Sequence, residues 1–187
     1  MRKVWLLLCF TCALQLASAQ RLKVEREYRT FPDLVPKEAR EWMDDVYKGV
    51  KKVKWYYQED QDDEESYEAR FRLNRLRHAI TFDDDGDVED IQIQRSLKEL
   101  PAAIRNRLQA TFDSIDRFRL KTLEEQWTAK DDDDLTDAAR SGDPADIQVR
   151  YEVEFRARID GIEARWEALF NPDGKMLSKN IIYPPYR

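Results

Sequence analysis

A chain of 187 residues can bury one sizeable core or two small ones, and its 38 acidic against 32 basic residues oppose nucleic-acid binding, which needs a basic footprint. Its two cysteines, Cys9 and Cys12, both fall in the opening apolar segment. The remainder therefore offers neither disulfides, thiol catalysis nor cysteine-ligated metals.

The opening reads as a secretory signal peptide over 1–19. Arg2 and Lys3 precede an apolar run from Val4 to Leu14, and Ala17-Ser18-Ala19 supplies small-x-small chemistry for cleavage. Neither cysteine follows a small residue, as in a lipoprotein signal, so a soluble product starting at Gln20 is expected. Loss of Arg2 and Lys3 leaves 30 basic residues and a net charge of −8. No later stretch approaches the roughly twenty apolar residues of a bilayer-spanning helix, so no membrane span is expected in the mature chain. The expected location is periplasmic or secreted.

Residues 20–33 lack a clear period and are expected as an extended lead-in. Pro36 then opens a helix with an apolar stripe of Ala39, Trp42, Met43, Val46, Tyr47 and Val50. Four strands follow. Val53, Trp55 and Tyr57 alternate with polar neighbours, as do Tyr67, Ala69, Phe71 and Leu73, and then Leu76, His78, Ile80 and Phe82. Asp83-Asp84-Asp85-Gly86 is a hairpin turn, and Val88 to Gln94 returns as the fourth strand.

The order then recurs. Leu100-Pro101 opens a second helix with the stripe Ile104, Leu108, Phe112 and Ile115, and a strand runs from about Phe118 to Trp127. Residues 128–146 form an acidic insertion, expected as a solvated loop because of the run Asp131 to Asp134. Ile147 to Ile159 alternates over thirteen residues, breaks at Asp160-Gly161, and resumes from Ile162 to Phe170, an antiparallel hairpin with one dry face and one wet face. After Asn171-Pro172-Asp173-Gly174, Met176 to Ile182 is the last strand, and residues 184–187 are a tail.

The halves match in sequence as well as in order. Val35-Pro36 aligns with Leu100-Pro101, carrying Met43 onto Leu108 and Tyr47 onto Phe112, while Phe82 and Gly86 align with Phe170 and Gly174. The expected fold class is α+β: two tandem α-β-β-β-β repeats, at 34–97 and 98–183, each a four-stranded antiparallel sheet with a helix on one face.

Leu100-Pro101, Tyr151-Glu152-Val153 and Phe170-Asn171-Pro172-Asp173-Gly174-Lys175, with Val35-Pro36, Tyr67-Glu68-Ala69 and Phe82-Asp83-Asp84-Asp85-Gly86 in the first half, resemble the PepSY-like family of exported bacterial proteins. Its fold is similar to that of the beta-lactamase inhibitor protein. The resemblance covers roughly residues 34–183. It implies an exported, non-catalytic module that binds or inhibits another protein, without naming the target. Its motifs are turns and core positions, which specify fold rather than activity.

The chemistry available to an enzyme is thin. His78 is the single histidine and lies on an apolar parity, as a core or edge histidine would. A serine triad would have to recruit it, and no serine sits in a glycine-flanked nucleophile turn. Glu152, Glu154, Glu163 and Glu167 share a strand face with Arg150, Arg156, Arg158 and Arg165, so cross-strand ion pairing accounts for them. Asp83, Asp85 and Asp87 are the weak calcium candidates, with glycine but without the alternation or length of a calcium loop. No cofactor is expected and no enzymatic activity.

The open sheet faces remain. They would carry Tyr56, Arg70, Arg72 and Arg77 in the first half and Arg156, Arg158 and Arg165 in the second, with Trp127 at the lip of the insertion either a further anchor or a core residue. Tyrosine, tryptophan and arginine are enriched where proteins bind proteins. The expected partner is an exported or envelope protein. The alternative is a secreted structural protein whose acidic loops bind calcium.

Overall fold

The computed structural model describes residues 26–59 and 64–182. The signal peptide and the tail expected from the sequence lie outside the described residues. The chain forms β1 (Arg26–Thr30), α1 (Lys37–Val46), β2 (Lys54–Glu59), β3 (Glu65–Leu73), β4 (Leu76–Asp83), β5 (Val88–Gln94), α2 (Ala102–Asp113), β6 (Arg119–Thr128), α3 (Asp132–Ser141), β7 (Gln148–Ile159), β8 (Ile162–Phe170) and β9 (Met176–Ile181). Helices and antiparallel strands make this an α+β fold.

All nine strands join one antiparallel sheet in chain order, β1 to β9. This differs from the expected pair of four-stranded sheets in two respects. First, β5 pairs with β6, setting Ile91 opposite Trp127 and Gln94 opposite Glu124, so the sheet runs unbroken from one half into the other. Second, part of the lead-in adds an edge strand, β1, with Tyr28 opposite Tyr57 on β2. The hairpin turns follow local chemistry. Asn74-Arg75 and Asp160-Gly161 all take positive φ, the two-residue geometry that matches the right-handed twist of the flanking strands.

The helices cover one face of the sheet. Ala39, Met43 and Tyr47 of the α1 segment bury against Trp55, Ala69, Phe71, Ile80, Phe82 and Ile91. Leu108 and Phe112 of α2 bury against Leu123, Tyr151, Val153, Phe155, Trp166 and Phe170. Each fully buried side chain of this size contributes roughly 1.5–3 kcal/mol, so these two clusters are the main source of stability.

Equivalent turns seat both helices. Asp83 N–H donates to the Asp87 carbonyl and Gly86 N–H to the Asp83 carbonyl; Asn171 N–H donates to the Lys175 carbonyl and Gly174 N–H to the Asn171 carbonyl. Gly86 (φ 97°) lies so close to α1 that a Cβ would stand 2.8 Å from the Ala39 nitrogen, and one on Gly174 (φ 73°) would stand 2.7 Å from the Arg107 Cβ on α2. Glycine is needed at both turns for conformation and for space.

The insertion is not a solvated loop. Residues 132–141 form α3, whose Leu135 and Ala138 bury in the first hydrophobic cluster beside Trp127. Asp131 caps it by accepting from Asp133 N–H, and Gly142 ends it at φ 70°. The acidic run that suggested a loop stands in the first turn, where carboxylates complement the positive end of the helix dipole.

Candidate functional site

The face away from the helices is polar and continuous. Antiparallel register lines its side chains into rows across the strands. Tyr56 stands opposite Glu68, then Thr81 and Asp90. Lys54 stands opposite Arg70, then Ala79, Gln92, Gln126 and Arg150. A third row runs Arg72, Arg77, Gln94, Glu124, Glu152, with the Arg77 Nε donating to Gln94 Oε1 at 2.9 Å. A fourth sets Thr122 opposite Glu154 and Glu167. All of these residues except Gln94 and Arg150 line a broad open recess spanning β2 to β8.

At one end of the recess, Arg70 is clamped. Its Nε donates to Glu68 Oε1 at 2.6 Å, its guanidinium also pairs with both carboxylate oxygens of Glu27, and it lies over the Tyr56 ring at 4.3 Å. Burial disfavours its charge, but the hydrogen bonds of Glu68 and Glu27 outweigh that and hold its pKa above the usual arginine value. Glu68 is buried and also accepts from Gln58 Nε2 at 2.7 Å. Tyr56 and Arg70 thus form one fixed aromatic and cationic platform.

The floor beneath the other half is acidic. Glu124 and Glu152 face each other across β6 and β7, and Glu154 and Glu167 across β7 and β8. Burial pushes the Glu124 carboxyl above its ordinary value; the Arg77 charge draws it down and Glu154 and Glu68 push it further up. Arg165 donates to Glu154, and Arg158 pairs with Glu163 at 3.5 Å, the cross-strand pairing expected for these glutamates. The recess therefore holds a cationic rim of Arg72, Arg77 and Arg165 around a carboxylate centre.

Of the residues singled out in the sequence, Tyr56, Arg70, Arg72, Arg77 and Arg165 line this recess. Arg156 and Arg158 are exposed on the same sheet face, farther along β7 and outside the recess. Trp127 is a correction. It is 3% exposed on the helix side, within the first core, and its Nε1 donates to Glu125 Oε1 at 2.7 Å. Its parity on β6 is that of Leu123, and α3 closes over it, so it cannot anchor a partner. His78 is also buried on that side, stacked on Phe71 at 5.2 Å.

Among the calcium candidates, Asp83 uses Oδ1 to accept from the N–H groups of Asp85, Gly86 and Asp87, which explains an aspartate there as the organiser of the turn. Asp85 and Asp87 are exposed. Among the described residues, no group of three or more His, Cys, Asp or Glu side chains is arranged to hold a metal ion.

Glu27, Glu68, Glu124, Asp90 and Gln92 line the recess and were missed in the sequence. All but Glu27 were legible by parity: Glu68 alternates with Tyr67 and Ala69, and Glu124 with Leu123 and Glu125. Glu27 sits in the lead-in, which shows no period.

No family model matches the chain, and no curated protein matches it. Solved structures do. A DUF2874 family protein from Bacteroides uniformis superposes with a TM-score of 0.56 at 17% identity, over 81% of this chain and 93% of that one. A BLIP-like protein from Bacteroides fragilis superposes with a TM-score of 0.53 at 11% identity, over 84% and 92%. A Bacteroides eggerthii protein with a provisional periplasmic label superposes with a TM-score of 0.54 at 18% identity, over 79% and 89%. At these identities the likeness is one of fold, and the chain has a BLIP-like fold. Among the described residues, no helix is long and apolar enough to cross a membrane.

Proposed function

We propose that this chain is an exported, non-catalytic module that binds another protein across the open face of its sheet, acting as a binder or inhibitor of that protein. The observation that carries this reading is the recess itself. Helices cover one side of the sheet, while the other presents a polar surface several strands wide, with the Tyr56–Arg70 platform at one end and Glu124, Glu152, Glu154 and Glu167 at its floor. Aromatic and arginine groups held in place by their neighbours lose little entropy when a partner docks. The BLIP-like neighbour and the provisional periplasmic label of another neighbour support an exported protein-binding role.

We further propose that the chain is a tandem duplication, with PepSY-like units at 34–97 and 98–183. The equivalent turns at Asp83 and Asn171, and the equivalent helix starts at Pro36 (φ −47°, ψ 140°) and Pro101 (φ −49°, ψ 139°), support this.

The test is affinity capture from the exported proteome of the encoding organism, beside a variant carrying Tyr56→Ala, Arg72→Glu and Arg165→Glu. The expected result is a partner retained by the wild type and lost by the variant at unchanged melting temperature. Retention of the same proteins by both would remove the open face from the account.

A further inference from the structure

The two edges of the sheet are not alike. β9 carries Lys179. A lysine on an edge strand discourages strand addition. β1, Arg26–Thr30, carries no lysine, and among the described residues it has a strand on one side only. The segment that begins with β1 also holds three of the large apolar side chains left exposed: Tyr28 (56%), Phe31 (71%) and Leu34 (64%). Exposed apolar groups on and just after an edge strand mark a contact surface.

We propose that β1 is a self-recognition edge, which pairs antiparallel with β1 of a second copy in the register centred on Tyr28. The sequence Glu27-Tyr28-Arg29 is self-complementary in that register and in neither neighbouring one. Two-fold pairing about Tyr28 sets Glu27 opposite Arg29 of the second copy, and Arg29 opposite Glu27 of the second copy. Pairing about Glu27 would set glutamates face to face, and pairing about Arg29 would set arginines face to face. Opposite charges directly across an antiparallel ladder stabilise it and like charges destabilise it, so the charges select the register.

Arg29 is exposed, and no carboxylate among the described residues pairs with it. The second copy supplies the missing one. Glu27 already accepts from Arg70 on its own sheet, and a carboxylate has acceptor capacity for a second cation. On the helix side, Tyr28 stands opposite Tyr57, which stands opposite Tyr67 and meets it edge-on at 5.7 Å. The pairing extends this row through Tyr28 of the second copy and covers the most exposed ring of the three. The dyad is perpendicular to the sheet, so both open recesses face the same way.

A five-residue strand pair is a small interface, so dissociation constants of about 10–100 µM are expected. The test is sedimentation velocity on the protein recovered from cells expressing the full chain, from about 1 µM to about 1 mM. The wild type is expected to shift from monomer to dimer over that range. Arg29→Glu alone, which sets glutamates opposite each other, and Glu27→Arg alone, which sets arginines opposite each other, are each expected to weaken the dimer at least tenfold. An equimolar mixture of the two variants restores both opposite-charge pairs, and is expected to associate where neither variant does. A wild type that stays monomeric throughout overturns the proposal. So does an Arg29→Glu variant that dimerises like the wild type, or a mixture that fails to associate although both variants melt like the wild type. Glu27 also clamps Arg70 at the end of the recess, so the Arg29→Glu arm is the one that separates self-association from partner binding, whose own test variant leaves β1 unchanged.

Discussion

The indole nitrogen of Trp42, on α1, donates a 2.8 Å hydrogen bond to the hydroxyl of Thr136, on α3, 94 residues later. The bond ties the helix within the acidic insertion to the helix that opens the fold. Arg140 on α3 pairs with Asp45 on α1 as well. The insertion thus completes the first core although it is encoded between β6 and β7, and the two halves are locked together on the helix side as they are through the sheet.

Removing that lock is expected to cost stability without touching the open face. Leu135 is 1% exposed, and Leu135→Ala should destabilise by about 2–5 kcal/mol through the cavity it leaves. Thr136→Val should cost about 1 kcal/mol, because the Trp42 N–H loses its acceptor. Chemical denaturation read by tryptophan fluorescence measures both. A Leu135→Ala midpoint equal to that of the wild type would contradict the packing of α3.

Gly86 and Gly161 separate backbone freedom from space. Both have positive φ, but only Gly86 has a neighbouring helix in the path of a Cβ. Gly161→Ala should cost about 1 kcal/mol, the ordinary penalty of a left-handed alanine. Gly86→Ala should cost clearly more, since α1 must also move. Equal losses of melting temperature would mean that the turn does not seat the helix as described.

At the seam between the halves, Glu125 is 9% exposed and accepts from both Trp127 and Arg95. Glu125→Ala leaves a half-buried guanidinium and an indole N–H without their acceptor, and about 2–4 kcal/mol should be lost. Glu125→Gln keeps the shape and one acceptor and should lose less. The ranking, read from thermal melts, is the prediction.

Two groups shift the pH dependence in opposite senses. Burial holds the His78 imidazole below its usual pKa of 6.5, opposed by a contact with the Leu76 carbonyl and aided by the Arg95 charge. The unfolded chain then binds a proton more readily than the folded one. The His78 contribution is fully present above pH 6.5 and falls as the pH drops through the window below it. His78→Leu should therefore flatten the decline of melting temperature between about pH 7 and about pH 5. Glu124 is the converse case. Burial raises its pKa, so its charge opposes folding at neutral pH, and Glu124→Gln should raise the melting temperature at pH 7 but not well below the ordinary carboxylate range.

Much of this architecture was legible in the sequence, for identifiable reasons. Alternation over Ile147 to Ile159 and the paired turns at Gly86 and Gly174 are local signals, and local signals survive without a structure. What escaped was long-range or ambiguous. Pairing of Ile91 with Trp127 crosses an intervening helix, so nothing local marks the sheet as continuous. Asp131 to Asp134 reads equally as a solvated loop and as a helix cap with a favourable first turn; only the burial of Leu135 decides between them. Trp127 reads in sequence as an anchor or as core; its neighbour Thr128 begins the insertion, which suggests a lip where α3 in fact makes a lid. Parity already puts the floor glutamates on one face; which of them stand opposite one another needed the register of β6, β7 and β8.

Site-specific photocrosslinking in cells tests the central claim most directly, with a benzophenone amino acid in place of Arg72, on the open face, or of Glu41, exposed on α1. The account predicts a discrete protein adduct from position 72 and none from position 41. Adducts from position 41 alone, or from neither, would contradict partner binding through the open face of the sheet.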